Sequence, residues 1–349
     1  MFQKKATVSL LKNNYKLVKE VMSIMTKIKY YLLTVFLVAI LTLAACAEDG
    51  DASDSSSSDG GEGKPNIAVV LKGSDQEYFK FAEAGAKQAF EDFDVNGTFQ
   101  AASTQTNTTE IINILEDLLV EEPDALVAMP STEEQTPVLQ RYREKDIPVL
   151  LIDTDLGWEE KTTYIGTNNY TAGQEAAKLL SSDLSEGDEV AILEGVSGAA
   201  VSEERVSGVN DVMEEQGINI VASQAADFDR AKAVNTMENI LTAHPDIQGV
   251  FAANDEMAMG AFEAVSAQNL DIPIIGVDGT SDALDSISNG GLTATVAQSP
   301  YQMGYQGVEN ALKAIEGEMI DKEIDIDVEI LTEENAGETL DEINGILEK

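Results

Sequence analysis

Short apolar runs alternate with amphipathic stretches along most of this chain. Runs such as Ile67–Leu71, Ala125–Met129 and Val149–Ile152 are rich in Val, Leu and Ile and are bounded by polar residues. They are too short for core helices and are typical of strands buried on both faces of a sheet. Between the runs, apolar residues recur at spacings of three and four, as in Tyr78–Phe93, which predicts helices. The alternation predicts an α/β fold with doubly wound parallel sheets.

One stretch of this pattern occurs twice. Asp146–Asp155 and Asp271–Thr280 each contain Asp-Ile-Pro, a short aliphatic run, and an aspartate where the run stops, Asp153 or Asp278. The duplication predicts two similar lobes, each with an aspartate at the carboxyl end of a strand. Open parallel sheets bind ligands at that edge. Two such lobes facing one another would form a binding cleft.

The segments that join the predicted lobes also show in the pattern. Thr163–Asn168 is predicted to cross into the second lobe, and Thr293–Ala297 is predicted to be a strand that is part of a return crossing. Between Ile324 and Ile330, branched apolar residues alternate with acidic ones, which predicts a half-exposed edge strand. The polar segment from Glu333 onward carries only a faint helical stripe.

The N-terminal segment has the layout of a signal peptide. Lys27 and Lys29 precede an apolar run of 14 residues, Tyr30–Leu43, which is shorter than the roughly 20 residues that span a bilayer. Small residues then lead to Cys46 in the sequence Leu-Ala-Ala-Cys. This motif resembles the lipobox of bacterial lipoproteins, in which the cysteine is acylated and becomes the first residue. We therefore expect a lipid anchor on Cys46.

The predicted signal peptide covers residues 1–45. Everything before Met25 is superfluous to its layout, so we expect the true start at Met25 or Met22. Residues 46–64 follow as a linker rich in Ser, Gly and Asp. This composition cannot bury apolar surface and is typical of a flexible, self-repelling tether.

Charge and chemistry exclude several classes of function. The net charge of −41 repels nucleic acid, so we predict no nucleic-acid partner. A single cysteine excludes an intramolecular disulfide and a cysteine metal cluster. The only histidine, His244, precedes a proline at a predicted helix end and is interpreted as a cap or turn residue. Without a nucleophile elbow, P-loop or dinucleotide fingerprint, the sequence predicts no enzyme, no catalytic residue, no cofactor and no metal site.

The predicted strand ends carry side chains suited to sugars. Carboxylate, guanidinium and amide groups can each bind vicinal hydroxyls, and aromatic rings can cover the C–H face of a sugar. The polar candidates are Asp153, Arg205, Asn254, Asp278 and Gln298, and the aromatic candidates are Tyr78, Phe79, Trp158 and Phe228.

Several segments resemble the ribose-type periplasmic sugar-binding proteins of ATP-driven importers. The resemblance runs from about Asn66 to Val328, and it is strongest in Ala222–Arg230, Leu241–Asp246, Val250–Gly260, Val277–Thr280 and Ala294–Gln298. It implies a type I periplasmic binding protein fold, in which three crossings join the lobes. We expect residues 65–166 with 299–326 to form the first lobe, and 167–298 with 327–349 the second. The implied ligand contacts are Gln76, Tyr78, Phe79, Asp153, Arg205, Phe228, Asn254, Asp278 and Gln298.

Three positions depart from the ribose-type pattern. Lys72 stands where that family has a serine, and Val-Leu-Lys at this point resembles the allose-binding relatives. Asp153 is followed by Thr154 instead of an arginine, and Val277 replaces an aromatic residue. We therefore add Lys72 to the ligand-binding residues, and the ligand stays open among a pentose, a hexose and a polyol.

The resemblance implies a monomeric, extracytoplasmic solute-binding lipoprotein that delivers a monosaccharide to a membrane permease. A receptor for a furanosyl autoinducer is an alternative, because that family also places a lysine after its first strand. A sugar-responsive repressor shares the two-lobed core, but it would need a helix-turn-helix and a basic face.

The anchor hypothesis predicts that Cys46→Ser abolishes lipidation of the chain expressed in a bacterium, because only the cysteine sulfur can accept the diacylglycerol. Mass spectrometry of the wild-type protein should show an acylated N-terminal cysteine, and the variant should be unprocessed or released. A wild-type protein without lipid would contradict the assignment.

Overall fold

The computed structural model describes residues 63–347, which contain two six-stranded sheets with helices on both faces of each. The predicted signal peptide, Cys46 and nearly all of the linker lie outside these residues. Among residues 63–347, no helix combines the length and the apolar character needed to cross a membrane.

The first sheet consists entirely of parallel pairs. Its strands are β1 (Asn66–Leu71), β2 (Asn96–Ala101), β3 (Ala125–Ala128), β4 (Val149–Ile152), β5 (Thr163–Gly166) and β11 (Glu323–Asp325). Their order across the sheet is β11-β5-β4-β3-β1-β2.

The second sheet repeats this arrangement with one antiparallel edge. Its strands are β6 (Glu189–Glu194), β7 (Asn219–Ala225), β8 (Gly249–Ala252), β9 (Ile274–Asp278), β10 (Ala294–Ala297) and β12 (Glu329–Thr332). The order is β12-β10-β9-β8-β6-β7, and only β12, which pairs with β10, runs antiparallel.

The helices alternate with the strands. They are α1 (Glu77–Asp92), α2 (Thr108–Glu121), α3 (Thr136–Arg143), α4 (Asn169–Ser181), α5 (Ala200–Gln216), α6 (Arg230–Ala243), α7 (Asp255–Ala267), α8 (Ser281–Ser288), α9 (Pro300–Ile315) and α10 (Ala336–Leu347). We call the first sheet with α1, α2, α3 and α9 the first lobe, and the second sheet with the other helices the second lobe. The predicted doubly wound α/β fold is confirmed.

Three segments carry the chain between the sheets: one after β5, one between β10 and α9, and one between β11 and β12. The sequence pattern predicted a single edge strand over the last of these. The structure divides it, because residues 326–328 make the crossing and the strands on either side join different sheets. The pattern also missed β2, which lies at the edge of its sheet with three exposed residues at its start.

The alternating side chains of β1 explain how the first sheet is buried on both faces. Ile67, Val69 and Leu71 belong to one apolar cluster, and Ala68 and Val70 belong to another. Successive residues of a strand point to opposite faces, so each face has its own helix layer to pack against. All five side chains are buried, so β1 contributes to the apolar core on both faces of the sheet.

Two helix pairs approach one another closely through glycines. A Cβ on Gly85 of α1 would lie 1.9 Å from the carbonyl oxygen of Tyr301 in α9, and one on Gly304 of α9 would lie 2.1 Å from that of Ala82. In the second lobe, α4 and α5 meet in the same way. A Cβ on Gly173 would lie 2.1 Å from the Arg205 oxygen. Each pair therefore packs backbone against backbone.

This packing predicts that Gly85→Ala destabilises the protein, because the added methyl group meets backbone that cannot rotate away. We expect a loss of about 1–3 kcal/mol in the free energy of unfolding, measured by urea denaturation. Gly345→Ala is the matched control, since Gly345 is also helical and has open space around its Cβ position. At position 345, the higher helix propensity of alanine should leave the free energy of unfolding equal to that of the wild type or slightly higher. Equal effects at both positions would contradict the close contact.

Candidate functional site

Residues at the carboxyl ends of parallel strands in both sheets line one cavity. All ten residues predicted to bind ligand line it, together with two residues that sequence reasoning missed, Gln105 and Val201. The predicted ten are Lys72, Gln76, Tyr78, Phe79, Asp153, Arg205, Phe228, Asn254, Asp278 and Gln298.

In the first lobe, the lining residues named here lie just after a strand or at the start of a helix. Lys72 directly follows β1, and Asp153 directly follows β4. Gln76 is the N-cap residue of α1, and Tyr78 and Phe79 lie in its first turn. The Tyr78 and Phe79 rings meet edge to face, with centroids 5.8 Å apart, so each ring limits the movement of the other.

The second lobe supplies its residues in the same way. Asn254 is the N-cap residue of α7, Asp278 ends β9, and Gln298 follows β10. Phe228 lies in the loop between β7 and α6, and Arg205 lies on α5. The site is thus built from strand ends and helix starts, where backbone position is well fixed.

The backbone is strained where several of these residues lie. Asp153 has φ 65°, Asp278 has φ 135°, and the consecutive residues Asp227 and Phe228 have φ 55° and 58°. Residues with side chains rarely adopt these angles, and the cost is of the order of 1–3 kcal/mol each. Such strain persists only where surrounding contacts enforce it, and it is concentrated at functional sites.

A buried ion pair dominates the first-lobe side of the cavity. The Lys72 ammonium donates to Asp153, and the two side chains are only 6% and 4% exposed. Lys72 Nζ also donates to Thr154 Oγ1 at 3.0 Å. Tyr78 Oη donates to Asp153 Oδ1 at 2.6 Å, and Thr154 Oγ1 donates to Asp153 Oδ2 at 2.7 Å. Asp153 thus accepts three hydrogen bonds from its own lobe.

These contacts set the charge state of the cluster. Burial opposes ionisation of Asp153, but the Lys72 charge and the hydrogen bonds from Lys72, Tyr78 and Thr154 outweigh it and hold the pKa below its usual range. Burial and the nearby Asp153 carboxylate raise the pKa of Tyr78 well above its usual value. Tyr78 therefore keeps its proton, and Asp153 stays ionised at neutral pH.

Arg205 is the second-lobe cation that lines the cavity. Its Nε donates to Asn169 Oδ1 at 2.9 Å, and its Nη1 donates to the Ala253 carbonyl at 2.7 Å and lies 3.8 Å from Asp278 Oδ1. Within residues 63–347, Nη2 has no hydrogen-bond partner. The guanidinium is thus fixed at two points and retains a donor.

Asp278 differs from Asp153 in its surroundings. Burial raises the pKa of Asp278 to about 8, Arg205 opposes this rise, and the neighbouring Asp255 carboxylate adds to it. Gln298 Nε2 donates to Asp278 Oδ1 at 2.7 Å. Without a lysine beside it, Asp278 holds a proton more readily than Asp153 does.

Asp255 stabilises the carboxyl end of β9 next to the cavity. Its carboxylate accepts hydrogen bonds from the backbone of Gly279 and Thr280, both at 2.8 Å, and from the Thr295 hydroxyl at 2.7 Å. These bonds fix the turn that follows Asp278. The sequence analysis did not single out Asp255, although it lies inside the resembling segment Val250–Gly260.

Two further candidates lie away from the cavity. Trp158 packs against an apolar cluster of the first lobe and is absent from the cavity lining. His244 ends α6 as its C-cap residue, which confirms its interpretation as a cap. Among the side chains that the structure describes, no group of His, Cys, Asp and Glu is arranged to hold a metal ion.

Comparison with known proteins agrees with this geometry. Residues 67–319 match the family model described as the periplasmic binding protein domain. The ribose import binding protein RbsB of Escherichia coli strain K12 is 32% identical over 273 residues, which cover 78% of this chain and 92% of that protein. The RbsB of Bacillus subtilis strain 168 is 37% identical over 230 residues, 66% of this chain and 75% of its own length.

A solved structure gives the same result. The periplasmic solute binding protein from Actinobacillus succinogenes 130z with bound D-allose superposes with a TM-score of 0.74 and 30% identity. The match covers 79% of this chain and all of that one.

The ion pair predicts that Lys72→Met lowers the free energy of unfolding by an amount that depends on pH. At neutral pH the variant leaves Asp153 as an uncompensated buried charge, and we expect a loss of about 3–5 kcal/mol in unfolding free energy. In the wild type, the depressed pKa of Asp153 adds stability that is lost as the pH falls. In the variant, burial raises that pKa. The deficit should therefore shrink as the pH falls: above about pH 4 because the variant's Asp153 takes up a proton, and below about pH 4 because the wild type loses its own contribution.

Urea denaturation across this pH range measures the effect. The control is Lys72→Met combined with Asp153→Asn, which removes both charges and should be more stable at neutral pH than Lys72→Met alone. A deficit that does not vary with pH would exclude the ion pair as its cause.

Proposed function

The chain belongs to the periplasmic binding protein family, and we propose that it captures a monosaccharide between its lobes and delivers it to the membrane permease of an ATP-driven importer. The observation that supports this most strongly is a cavity at the strand ends that residues of both lobes line. It combines carboxylates, a guanidinium, amides and three aromatic rings. These are the groups that bind vicinal hydroxyls and cover a sugar ring.

The roles of the lining residues follow from the bonds they still have available. Arg205 Nη2 and the Asn254 amide nitrogen can donate to hydroxyl oxygens, because the described residues occupy only their other atoms. Asp153 and Asp278 accept from ligand hydroxyls on opposite sides. Tyr78, Phe79 and Phe228 cover the apolar faces of the ring.

Lys72 sets ligand choice through Asp153. The ammonium is committed to Asp153 and Thr154, so it acts by fixing the carboxylate as an ionised acceptor. A lysine here also supports the alternative ligand, a furanosyl autoinducer or a polyol, since each presents several hydroxyl donors. The proposed site therefore specifies a polyhydroxylated ring or chain more strongly than one named sugar.

The remaining proposals concern the chain as a whole. Residues 65–166 with 299–326, and 167–298 with 327–349, are the two lobes. The protein is a monomer, is tethered to the membrane by acylated Cys46 through the linker 46–64, and lies outside the cytoplasm. It is not an enzyme, because His244 lies apart from the cavity and the lining aspartates serve as hydroxyl acceptors.

Calorimetry of the fragment 64–349 tests the function. D-ribose, D-allose, D-arabinose, myo-inositol and a furanosyl autoinducer form the panel. We expect micromolar or tighter binding of at least one monosaccharide. Binding of myo-inositol or the autoinducer alone would favour the alternative ligands, and binding of none would contradict the proposal.

With the ligand found in that panel, Asp153→Asn and Asp278→Asn should each weaken binding by about 10- to 150-fold. Asp153→Asn removes a charged acceptor for ligand hydroxyls, worth about 1.5–3 kcal/mol, and Asp278→Asn removes an acceptor that ligand hydroxyls would help to ionise. Asp246→Asn is the control, because Asp246 is exposed and is not among the lining residues. If only one cavity variant weakens binding, the ligand contacts one lobe and does not bridge the two.

A further inference from the structure

Two hydrogen bonds cross the cleft from adjacent residues at the start of α1. Gln76 Nε2 donates to the Phe228 carbonyl at 2.9 Å. Glu77 Oε2 accepts from the backbone N–H of Ser281 at 2.7 Å. Gln76 and Glu77 belong to the first lobe, and both partners belong to the second. These bonds exist only while the lobes are together.

The Ser281 amide is an unusual partner because it begins a helix. Ser281 is the first residue of α8, and the N-cap residue Thr280 makes no side-chain capping bond. Thr280 Oγ1 lies 3.3 Å from Asp255 and is directed to that carboxylate. The first amides of a helix lack intrahelical acceptors and are best satisfied by an oxygen, preferably a charged one. Glu77 from the opposite lobe fills that role.

Glu77 is separate from the ligand cavity. Gln76, Tyr78 and Phe79 line the cavity, but Glu77 does not. The helical rotation between successive residues turns Glu77 toward α8 while its neighbours face the ligand. Its carboxylate can therefore favour closure without contacting the ligand.

We propose that Glu77 is a closure latch, which caps α8 across the cleft and stabilises the closed arrangement of the lobes. The inference rests on the proposed function, because it assigns the bond a part in retaining a captured ligand. When the lobes separate, water replaces both partners. The bond thus contributes only to the closed state, and it raises affinity by as much as it shifts the closing equilibrium.

The latch has a specific kinetic signature. A bond that forms after the ligand is enclosed slows dissociation and has little effect on association. It also acts equally on every ligand that allows closure. Loss of the latch should therefore weaken all ligands by the same factor, whereas loss of a cavity residue changes their ranking.

The two partners can be removed separately. Glu77→Ala removes the acceptor. Ser281→Pro removes the amide donor, and proline is well tolerated at the first position of a helix. Thr280, which would precede it, already has φ −74° and ψ 155°, as a residue before proline requires. Ser281→Ala keeps the N–H and is the control for the serine side chain. Glu83→Ala, on the same helix and paired with Lys87, is the control for loss of an acid.

Stopped-flow dissociation and calorimetry with D-ribose and D-allose, or with whichever sugar of the panel binds, measure the effect. We expect Glu77→Ala and Ser281→Pro each to weaken binding and speed release by about tenfold. The double variant should be no weaker than either single variant, because both remove one bond. Unchanged binding in Glu77→Ala, or additive effects in the double variant, would overturn the latch while leaving the sugar-binding function intact.

A second measurement does not depend on sugar binding. The fragment 64–349 lacks cysteine and contains both sheets and their apolar clusters. Spin labels at Asp117→Cys and Glu238→Cys, exposed on helices of opposite lobes, report the inter-lobe distance by pulsed EPR.

The latch predicts a smaller closed fraction in Glu77→Ala than in the wild type, under every condition in which the wild type closes. Equal closed fractions would overturn it, and so would a wild type that never closes, with or without the sugars. If no sugar binds but the ligand-free wild type closes and the variant closes less, the proposed ligand class fails and the latch stands.

Discussion

Parallel pairing is the constraint on which the rest of this molecule depends. It places the carboxyl ends of neighbouring strands at one edge of a sheet, so residues at or just after the ends of β1, β4, β8, β9 and β10 gather around one cavity. The chain has to turn sharply there, and Asp153 and Asp278 adopt positive φ angles at those turns. The strained backbone is stabilised by its surroundings: Tyr164 donates to the Asp153 carbonyl, and Asp255 holds the turn after Asp278.

The duplicated strand ends are equivalent in position but not in charge. Lys72 and three hydrogen bonds keep Asp153 ionised, whereas Asp278 has a pKa near 8 and only a more distant guanidinium. The first lobe therefore presents a carboxylate whose acceptor role is fixed before a ligand arrives. The second presents one that a hydroxyl donor would help to ionise. The two lobes contribute different chemistry to one ligand.

The sequence predicted the features that depend on local pattern. The repeated Asp-Ile-Pro runs identified β4 and β9. Strand-end polar and aromatic residues led to eight of the ten proposed cavity residues and also to Trp158, which does not line the cavity. Gln76 and Lys72 came from the family resemblance. The residues that the sequence did not predict depend on contacts between distant parts of the chain. Gln105 lies in a loop, Val201 looks like any core residue, and Glu77 is recognised only when α8 is found opposite it. The strand β2 and the division between β11 and β12 were missed because exposed edge strands have a weak pattern.

The glycine contacts between helices limit the ways in which the ligand specificity of such a site can change. Helix α1, which carries Tyr78, packs backbone against backbone with α9, the helix that follows the crossing after β10. Helix α5, which carries Arg205, packs in the same way with α4, the helix that follows the crossing after β5. Neither helix can slide to suit a ligand of another shape without breaking that contact. A change of specificity over evolution would therefore have to come from exchanging side chains on an unmoving frame. Within this architecture, a new ligand would be accommodated by substitutions among the twelve lining residues, while the helix contacts and the three crossings stay as they are.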